Sequence, residues 1–554
     1  MTTEAHDRVA DDYTKVKGLK SGALGMLASV VIGMASTAPA YSLAATLGFI
    51  VIAVGVKAPA IILLAFIPMF LIAVAYSELN KREPDCGTTF TWVTRAFGPR
   101  MGWMGGWGII AADIIVMANL AQIAGIYGFL LVGADGLAAS KFWSTFAGVI
   151  WIIVMTYICY RGIELSARLQ FGLLGIELVV LAAFAIYALV KVYAGSSPAG
   201  SLTPSLSWLW PSGMSASALA DALLLAIFIY WGWDTAVSVN EETRDPDRIP
   251  GRAAVVSTVL LLATYAIVGI ATVAFAGIGT KGIGLGNEKN ADDVFNALGS
   301  TVFGKGLFGS IFASMLIISV LTSASASTQT TILPTARTGL SMGAYRALPV
   351  RFAHVHPRYL TPTVSTLWMG ALSIIFYVGL TVVSDNVLQD SILAVGLMIA
   401  FYYGLTGFAC TWYYRHELKT RRDLMMRGVL PLLGGIILLA VFIKSCIDYF
   451  NPSYGYTSFS IGGVGVGGVF LVGIGTLLLG VVLMEIYARI APAFFRSETL
   501  KAGSSDLLLA GRGQPTFGLP DSYEGTVIAP DLSNLPPGQP PPELPPTGDE
   551  DRPR

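Results

Sequence analysis

The stretch Ile229-Tyr230-Trp231-Gly232-Trp233-Asp234 interrupts an apolar run near the middle of the chain. A second interruption, Gly33-Met34-Ala35-Ser36-Thr37-Ala38-Pro39, lies within the first apolar run. Inside a bilayer, helix-breaking residues persist only where protein, ligand or cavity water pairs the freed backbone groups. Matching interruptions in the two halves of a chain indicate a binding site near the membrane midplane, which is typical of transporters.

The composition predicts that most of the chain lies in a lipid bilayer. Of 554 residues, 54% are hydrophobic and 13% are charged, and the mean hydropathy is +0.66. Soluble domains carry about 25% charged residues, so the deficit indicates lipid-facing surface. The formal net charge is zero and the basic residues are scattered over many loops. This pattern argues against a nucleic-acid partner.

Apolar segments of the length needed to cross a bilayer recur along the chain. A spanning helix needs about 20 mainly apolar residues. By that measure the sequence predicts an all-α integral membrane protein with about twelve spans, near 24–49, 58–77, 103–132, 142–160, 169–193, 217–239, 253–279, 306–333, 363–383, 389–413, 429–447 and 461–488.

Basic residues are distributed unequally between the two sides of these spans. One side carries 22 Lys and Arg residues before the tail and the other carries 7. Because positive residues favour the cytoplasmic face, we expect a cell-membrane protein with both termini in the cytoplasm. We divide the chain into a cytoplasmic segment (1–20), a membrane domain (21–490) and a disordered, Pro-rich tail (491–554), whose composition cannot bury enough apolar surface to fold.

Each of the two interruptions has a purely structural interpretation as well as a functional one. Pro39 removes an amide and disturbs the preceding turn. A half-helix that begins there would point free amides into the bundle, which suits a carboxylate; a proline-kinked helix without a ligand is the alternative. In the second interruption the aromatic residues are also common at membrane interfaces and in cores. Asp234 is costly at this depth unless it meets polar protein or water.

Two further acidic residues, Asp113 and Glu177, lie deep in apolar sequence. An intramembrane carboxylate is by default a functional candidate. Three roles stay open for Asp113: binding a cationic substrate, carrying a coupling proton, or pairing with a polar neighbour. For Glu177, burial disfavours the ionised form and so suits a proton carrier. A hydroxyl-rich stretch that includes Thr322 and Ser323 offers oxygen ligands for sodium, or a close helix-packing surface.

The sequence contains no recognisable catalytic constellation. It has no metalloprotease-type histidine pair and no phosphate-binding glycine-rich loop. The four cysteines lack a metal-like spacing and are interpreted as small buried residues. We therefore expect neither an enzyme nor a cofactor or metal.

Several motifs resemble the amino acid-polyamine-organocation (APC) superfamily of permeases. Besides the interruption at 33–39, these are the block Trp231-Gly232-Trp233-Asp234 with Glu241-Glu242 and Asp245-Pro246, the first internal loop with Gly87-Thr88-Thr89-Phe90 and Gly98-Pro99, and a later loop with Arg337, Leu348-Pro349 and Thr361-Pro362. The likeness covers roughly residues 18–490 and leaves out the tail.

The resemblance implies a five-plus-five inverted repeat with broken helices 1 and 6, and transport by alternating access. It places the substrate at Ala35, Ser36, Thr37 and Ala38 and at Phe228, Tyr230, Trp231 and Gly232, with Phe228 as an aromatic gate. Glu177 falls where several proton-coupled members have a lysine, so the chain departs from the family pattern at that position. The glutamate either takes up a proton itself or helps to bind a cation.

The function predicted from the sequence is secondary active uptake of an amino acid or related organic amine. Proton-coupled symport is the first hypothesis, and an exchanger or a sodium-coupled transporter is the alternative. Asp113 beside the pocket favours basic amino acids or amines. A receptor or scaffold with a transporter-like fold is a hypothesis of another class, and uptake assays distinguish it.

Overall fold

Long apolar helices form the body of the protein. The computed structural model describes residues 17–499 except 292, 304–305, 384–386 and 456. The spans, numbered along the chain, are Met26–Ser36 with Pro39–Val54 (span 1), Ala58–Arg82 (2), Pro99–Leu131 (3), Lys141–Arg161 (4), Ile163–Tyr193 (5), Ala216–Tyr230 with Thr235–Ser238 (6), Ile249–Ala276 (7), Leu307–Ala344 (8), Thr363–Val383 (9), Val387–Tyr413 (10), Leu430–Phe450 (11) and Gly468–Ile490 (12).

Eleven helical runs among the described residues are long and apolar enough to cross a membrane. The first run, Met26–Arg82, has 57 residues and holds both span 1 and span 2. About 20 residues suffice for one crossing, so this run accounts for two. The chain turns between them at Gly55–Lys57, where Gly55 has φ +58°. The prediction of an all-α membrane protein with about twelve spans is confirmed.

Short elements connect the spans. The α-helical and π-helical ones are Thr89–Phe97, Asp135–Ala138, Val294–Phe303, Arg421–Asp423, Leu424–Val429 and Pro492–Phe495. The 3-10 turns, besides Gly55–Lys57, are Leu206–Leu209, Asn240–Glu242, Glu288–Asn290 and Val350–Ala353.

The glycine-rich stretch before span 12 is a β-hairpin, so its prediction as the start of a helix was wrong. Strands β1 (Ser458–Ile461) and β2 (Val464–Gly467) pair antiparallel, with Ile461 opposite Val464. Gly462 and Gly463 form the two-residue turn with φ +59° and +85°. Consecutive positive φ angles match the twist of a tight hairpin, and glycine adopts them without strain.

Span 8 is longer than predicted. It continues through Pro334 to Ala344, whereas the sequence predicted an end at residue 333. A proline removes one hydrogen bond from a helix but need not end it in a membrane, because neighbouring side chains pair the freed carbonyl.

Span 8 is central to the bundle. It packs against spans 3 and 5 and against both halves of span 1, while the first half of span 6 packs against the second half of span 1. Spans 11 and 12 pack on span 10. Large apolar side chains are exposed on the outer helices, for example Val179, Val382 and Ile447. This surface suits lipid contact.

The described ends of the chain are attached to the bundle. Lys17 begins the described residues, within the predicted segment 1–20. At the other end Phe494, in the first part of the predicted tail, is fully buried and stacks on Phe90 with ring centroids 5.5 Å apart. The predicted disorder of 491–554 therefore does not extend to this residue, and residues 500–554 lie outside the described part.

Candidate functional site: a cavity between the interrupted spans

Span 1 is interrupted at Thr37 and Ala38. The first half-helix ends at Ser36 and the second begins at Pro39, whose missing amide is tolerated at a helix start. Ala38 lies in the left-handed region with φ +47°. The Thr37 N–H donates to Met34 O over 3.1 Å, and the Ala38 N–H donates to Ala35 O over 3.2 Å.

Span 6 is interrupted directly opposite. Its first half ends at Tyr230, Trp231 is extended with ψ 140°, and Gly232 has φ +121°. A Cβ atom on Gly232 would lie 2.8 Å from the carbonyl carbon and oxygen of Ser36. Only glycine fits both this φ angle and this approach. The Ser36 and Thr235 hydroxyl oxygens, 2.8 Å apart, join the two interruptions.

A third irregularity, in span 8, meets the other two. Pro334 cannot donate to the carbonyl of Thr330, one turn earlier. Thr235 Oγ1 instead donates to that carbonyl over 3.4 Å. Ser327 Oγ donates to Ser36 O over 2.9 Å. Spans 1, 6 and 8 are thus held together through backbone groups that regular helices would have used internally.

A small cavity lies where the three irregularities meet. It is lined by Ser36, Ile109, Asp113, Trp231, Gly232, Asp234, Thr235, Thr331, Pro334 and Tyr402. Four of the predicted substrate residues are among them: Ser36, Asp113, Trp231 and Gly232. Asp234 was singled out for its depth but was not predicted to bind substrate.

The ionisable side chains that line the cavity, apart from the Tyr402 hydroxyl, are both carboxyl groups, those of Asp113 and Asp234. Asp113 Oδ2 accepts a hydrogen bond of 2.5 Å from Thr335 Oγ1. Asp234 Oδ2 accepts one of 3.3 Å from Tyr402 OH, which itself accepts from Trp231 Nε1. None of the ten lining residues is Lys, Arg or His. Two buried carboxylates without a neighbouring cation are expensive in a membrane, so the cavity is suited to positively charged solutes or protons.

Five residues predicted to contact substrate do not line this cavity: Ala35, Thr37, Ala38, Phe228 and Tyr230. All five are buried. Tyr230 packs edge-on against Tyr265 of span 7, with ring centroids 5.1 Å apart. The extended backbone at Trp231 sends neighbouring aromatic rings in different directions, which sequence spacing alone does not reveal. The role of Phe228 as a gate stays a prediction.

Glu177 lies outside the cavity, at the start of the second half of span 1. Its side chain is fully buried, and Oε1 accepts from the Ala40 N–H over 2.7 Å and from Ser323 Oγ over 2.8 Å. Oε2 has no hydrogen-bond partner among the described residues. Ser323 Oγ in turn accepts from the Tyr41 N–H over 3.1 Å. The half-helix amides that the sequence predicted to be free for a ligand are therefore occupied.

Thr322, the other hydroxyl proposed as a cation ligand, is directed elsewhere. Its Oγ1 donates to Ser319 O of its own helix over 3.0 Å. The structure therefore brings only Ser323 of this pair to Glu177.

A separate buried group, the Lys17 cluster (Lys17, Asp85, Cys86 and Glu241), joins the N-terminal segment to two loops. Lys17 Nζ lies 2.8 Å from Asp85, 2.7 Å from Glu241 and 3.6 Å from Cys86 Sγ. The ligand atoms of the last three lie within 4.8 Å of one another, a spacing that suits a metal ion. The Lys17 ammonium already contacts all three, so a metal would have to displace it.

The electrostatics of the Lys17 cluster favour the charged pair. Burial opposes ionisation of Asp85, but the Lys17 ammonium and hydrogen bonds from Gly87 and Ser341 outweigh it and hold the pKa of Asp85 at about 2. Burial also opposes the charged form of Lys17, but Asp85 and the other cluster members raise the pKa of Lys17 well above its ordinary value. Burial raises the pKa of Glu241. The lysine thus pairs mainly with Asp85.

A second ion pair lies beside the Lys17 cluster. Arg337 of span 8 binds Glu242 through two hydrogen bonds, 2.6 Å from Nε and 2.8 Å from Nη2. The Leu24 N–H donates to Glu242 O over 3.0 Å, and the Arg244 N–H donates to Leu24 O over 2.8 Å. The start of span 1 is therefore bound to the loop after span 6 and to span 8 at this end of the bundle.

Sequence reasoning missed several residues of the cavity. Pro334 was overlooked because span 8 was predicted to end just before it, although a proline after an apolar run was a usable signal. Thr331 and Tyr402 gave no signal, because isolated hydroxyl-bearing residues are common in membrane helices. Their position depends on how spans 8 and 10 pack.

Comparison with known proteins agrees with this architecture. The family model of the amino acid permeases matches residues 23–460. An uncharacterized transporter of Mycobacterium tuberculosis is 26% identical over 354 residues, 63% of this chain and 72% of that protein. The low-affinity putrescine importer PlaP of Escherichia coli is 21% identical over 386 residues, 68% and 78% of the two chains.

The fold is also similar to a solved structure. The crystal structure of MhsT in complex with L-phenylalanine aligns with a TM-score of 0.56 and 16% identity, and covers 77% of this chain and 99% of MhsT. This likeness concerns the fold alone, and it agrees with the expected inverted-repeat arrangement. With the family match extending over most of the membrane domain, the chain belongs to the amino acid permease family of the APC superfamily.

Proposed function

We propose that the protein is a secondary active permease that imports an amino acid or organic amine together with protons. The observation that carries this proposal is the acidic cavity between the interruptions of spans 1 and 6. The relatives of this chain include a putrescine importer and the branched-chain amino acid permease BcaP of Lactococcus lactis. BcaP is 24% identical over 219 residues, which are 36% of this chain and 44% of BcaP. Both solute classes carry an ammonium group.

Alternating access requires that one end of the bundle opens while the other closes. The Lys17 cluster and the Arg337–Glu242 pair hold span 1, span 8 and the loop after span 6 together at one end. Because this end carries the basic loops, we assign it to the cytoplasm, with both termini on that side. Release of substrate into the cell then requires these ion pairs to separate.

Glu177 is the proposed coupling residue. When ionised, it is attracted by the Ala40 N–H and by the positive end of the second half-helix of span 1. A bound proton removes that charge and weakens the link between spans 5 and 1. Protonation of Glu177 would thereby bias the position of span 1. The Ser323 oxygen already has two hydrogen-bond partners, which favours a proton over sodium.

Transport by purified protein in proteoliposomes tests the proposal. Labelled putrescine, lysine, ethanolamine and leucine are offered under an inward proton gradient. We expect at least one solute to accumulate above its external concentration, and a protonophore to abolish that accumulation. Uptake that requires preloaded substrate would identify an exchanger. Ligand binding without accumulation under proton or sodium gradients would favour a receptor and contradict the proposal.

A further inference from the structure

We propose that the substrate is a short aliphatic diamine without a carboxylate, and that Asp113 and Asp234 each receive one of its ammonium groups. This inference rests on the permease function proposed above and identifies the solute class for the same cavity. It assigns Asp234 as a second specificity-determining residue. Three structural features lead to it.

The first feature is the lack of spare amides at the interruption of span 1. A substrate carboxylate would need N–H donors there. Pro39 has none, and the other amides from Thr37 to Ser42 all have acceptors: Met34 O, Ala35 O, Glu177 Oε1, Ser323 Oγ and Ala38 O. Glu177 thus supplies from the protein the carboxylate that an amino acid would otherwise bring to this helix end.

The second feature is the charge of the cavity. Asp113 comes from span 3 and Asp234 from span 6, and both are more than nine-tenths buried. The cavity lining has no cationic side chain to attract a substrate carboxylate. Buried charges are tolerated when they are paired. A solute with two ammonium groups and no carboxylate pairs both aspartates, whereas an amino acid would place an unpaired carboxylate in an acidic site.

The third feature is the arrangement of the groups around Asp234. Trp231 Nε1 donates to Tyr402 OH, and Tyr402 OH donates to Asp234 Oδ2 over 3.3 Å. This chain of hydrogen bonds holds the carboxylate at the cavity wall. Ile109, Pro334 and Trp231 add apolar surface to the lining of the same cavity, which suits a methylene chain. The indole ring also favours a nearby ammonium group through a cation–π contact.

The experiment compares three ligands on the purified full-length protein. Putrescine has two amino groups, butylamine lacks one of them, and ornithine adds a carboxylate to putrescine. Binding is measured by displacement of labelled putrescine and, independently, by thermal shift. We expect putrescine to bind about 30-fold more tightly than either analogue, because each analogue leaves one charge unpaired.

Two variants then assign the ammonium sites. In Asp113→Asn or Asp234→Asn only one carboxylate remains, so the preference for putrescine over butylamine should fall to within about threefold. Asp390→Asn is the matched control: Asp390 is a buried aspartate of span 10 that accepts from Thr457 and does not line the cavity. It should retain the full preference. The ratio of two affinities is insensitive to a general loss of active protein.

The outcomes separate this inference from the proposed function. Equal or tighter binding of ornithine, or an unchanged putrescine preference in both variants, would overturn the diamine assignment while leaving a working permease. If either variant fails to fold, the three-ligand comparison on the unmodified protein still decides. A protein that accumulates none of the tested solutes in proteoliposomes would overturn both.

Discussion

The backbone N–H of Ala40 donates to Oε1 of Glu177 over 2.7 Å, and this contact joins span 5 to the start of the second half of span 1. The donor belongs to a helix start that carries a partial positive charge. The acceptor is a fully buried carboxylate whose second oxygen has no hydrogen-bond partner among the described residues. A single proton on Glu177 therefore changes the electrostatic link between two helices.

Glu177→Gln should separate binding from proton coupling. Glutamine keeps an oxygen acceptor for the Ala40 N–H but cannot ionise. We expect substrate affinity to change by less than about threefold, whereas accumulation driven by a pH gradient is lost. The measurement is uptake into proteoliposomes with and without the gradient, beside equilibrium binding.

Glu164→Gln is the control for this substitution. Glu164 lies on the same span but is exposed and pairs with Lys20. It should transport normally. Proton-driven accumulation that persists in Glu177→Gln would exclude Glu177 as the coupling residue.

Gly232→Ala should disrupt the contact between the two interruptions. The new Cβ would meet Ser36 at 2.8 Å, on a backbone with φ +121°. We expect a loss of about 2 kcal/mol or more in the free energy of unfolding, together with loss of transport. The measurements are a thermal melt and an uptake assay.

Gly175→Ala provides the comparison for Gly232→Ala. Nothing lies within 4 Å of a Cβ at Gly175, and its φ is not in the left-handed region. This substitution should leave the protein as stable as before or slightly more stable, because alanine favours helix. Equal melting temperatures for both variants would refute the tight approach at Gly232.

Lys17→Met should weaken the closed end of the bundle that we propose faces the cytoplasm. Removing one partner of a buried ion pair costs about 3 kcal/mol. Cys86 is fully buried beside Lys17, so its labelling by a membrane-impermeant maleimide reports opening. In a protein whose other cysteines are replaced, we expect labelling from the cytoplasmic side to rise roughly tenfold or more.

Lys20→Met serves as the matched lysine variant, since Lys20 is exposed and its partner Glu164 is exposed too. Exposed ion pairs contribute little. Labelling of Cys86 should stay at the original rate. If Lys17→Met also leaves Cys86 protected, the Lys17 cluster does not hold this end closed.

Lys17→Met should increase the pH dependence of stability that the cluster contributes. With the pKa of Asp85 at about 2 and that of Lys17 above its ordinary value, the pair stays charged from pH 5 to 8. Without Lys17, the adjacent Asp85 and Glu241 carboxylates repel each other, and this repulsion raises the pKa of one of them so that it retains a proton. A carboxyl group whose pKa is higher in the folded than in the unfolded state stabilises the folded protein at low pH. This contribution is lost as the pH rises through the folded-state pKa.

Melting temperatures at pH 5, 6, 7 and 8 test this expectation. The difference between the unmodified protein and Lys17→Met should widen as pH rises. A constant difference across the series would mean that Asp85 and Glu241 do not interact once the lysine is gone.

Much of the fold was predictable because bilayer crossing imposes a simple length and composition rule. The ends of spans 8 and 12 were not. Pro334 looked like a stop but is accommodated by Thr235 from another span, and the glycines at 462 and 463 were placed at the start of span 12 but form a hairpin turn. At Pro334 the deciding hydrogen bond comes from Thr235, 95 positions away from its acceptor Thr330, which a sequence window does not contain. The hairpin pairs residues within 458–467, so two consecutive glycines between short apolar runs were a usable local signal for a turn.

The candidate site divides in the same way. Ser36, Asp113, Trp231 and Gly232 could be named from the sequence, because a break or a charge deep in apolar sequence is visible in one dimension. Thr331, Pro334 and Tyr402 reach the cavity only through the packing of spans 8 and 10. Phe228 and Tyr230 were predicted to contact substrate but do not line this cavity, and the Tyr230 ring packs against Tyr265 of span 7.

By itself the sequence determined a multi-pass membrane protein with two interrupted helices, since apolar length, prolines, glycines and buried charges are local properties. The tertiary structure alone decided what those interruptions contact. In the folded protein the Ala40 N–H donates to Glu177 and is not available to a ligand. Asp113 and Asp234, from different spans, line the same cavity. The physical reason is that hydrogen-bond partners and paired charges are set by distances between helices far apart in the chain.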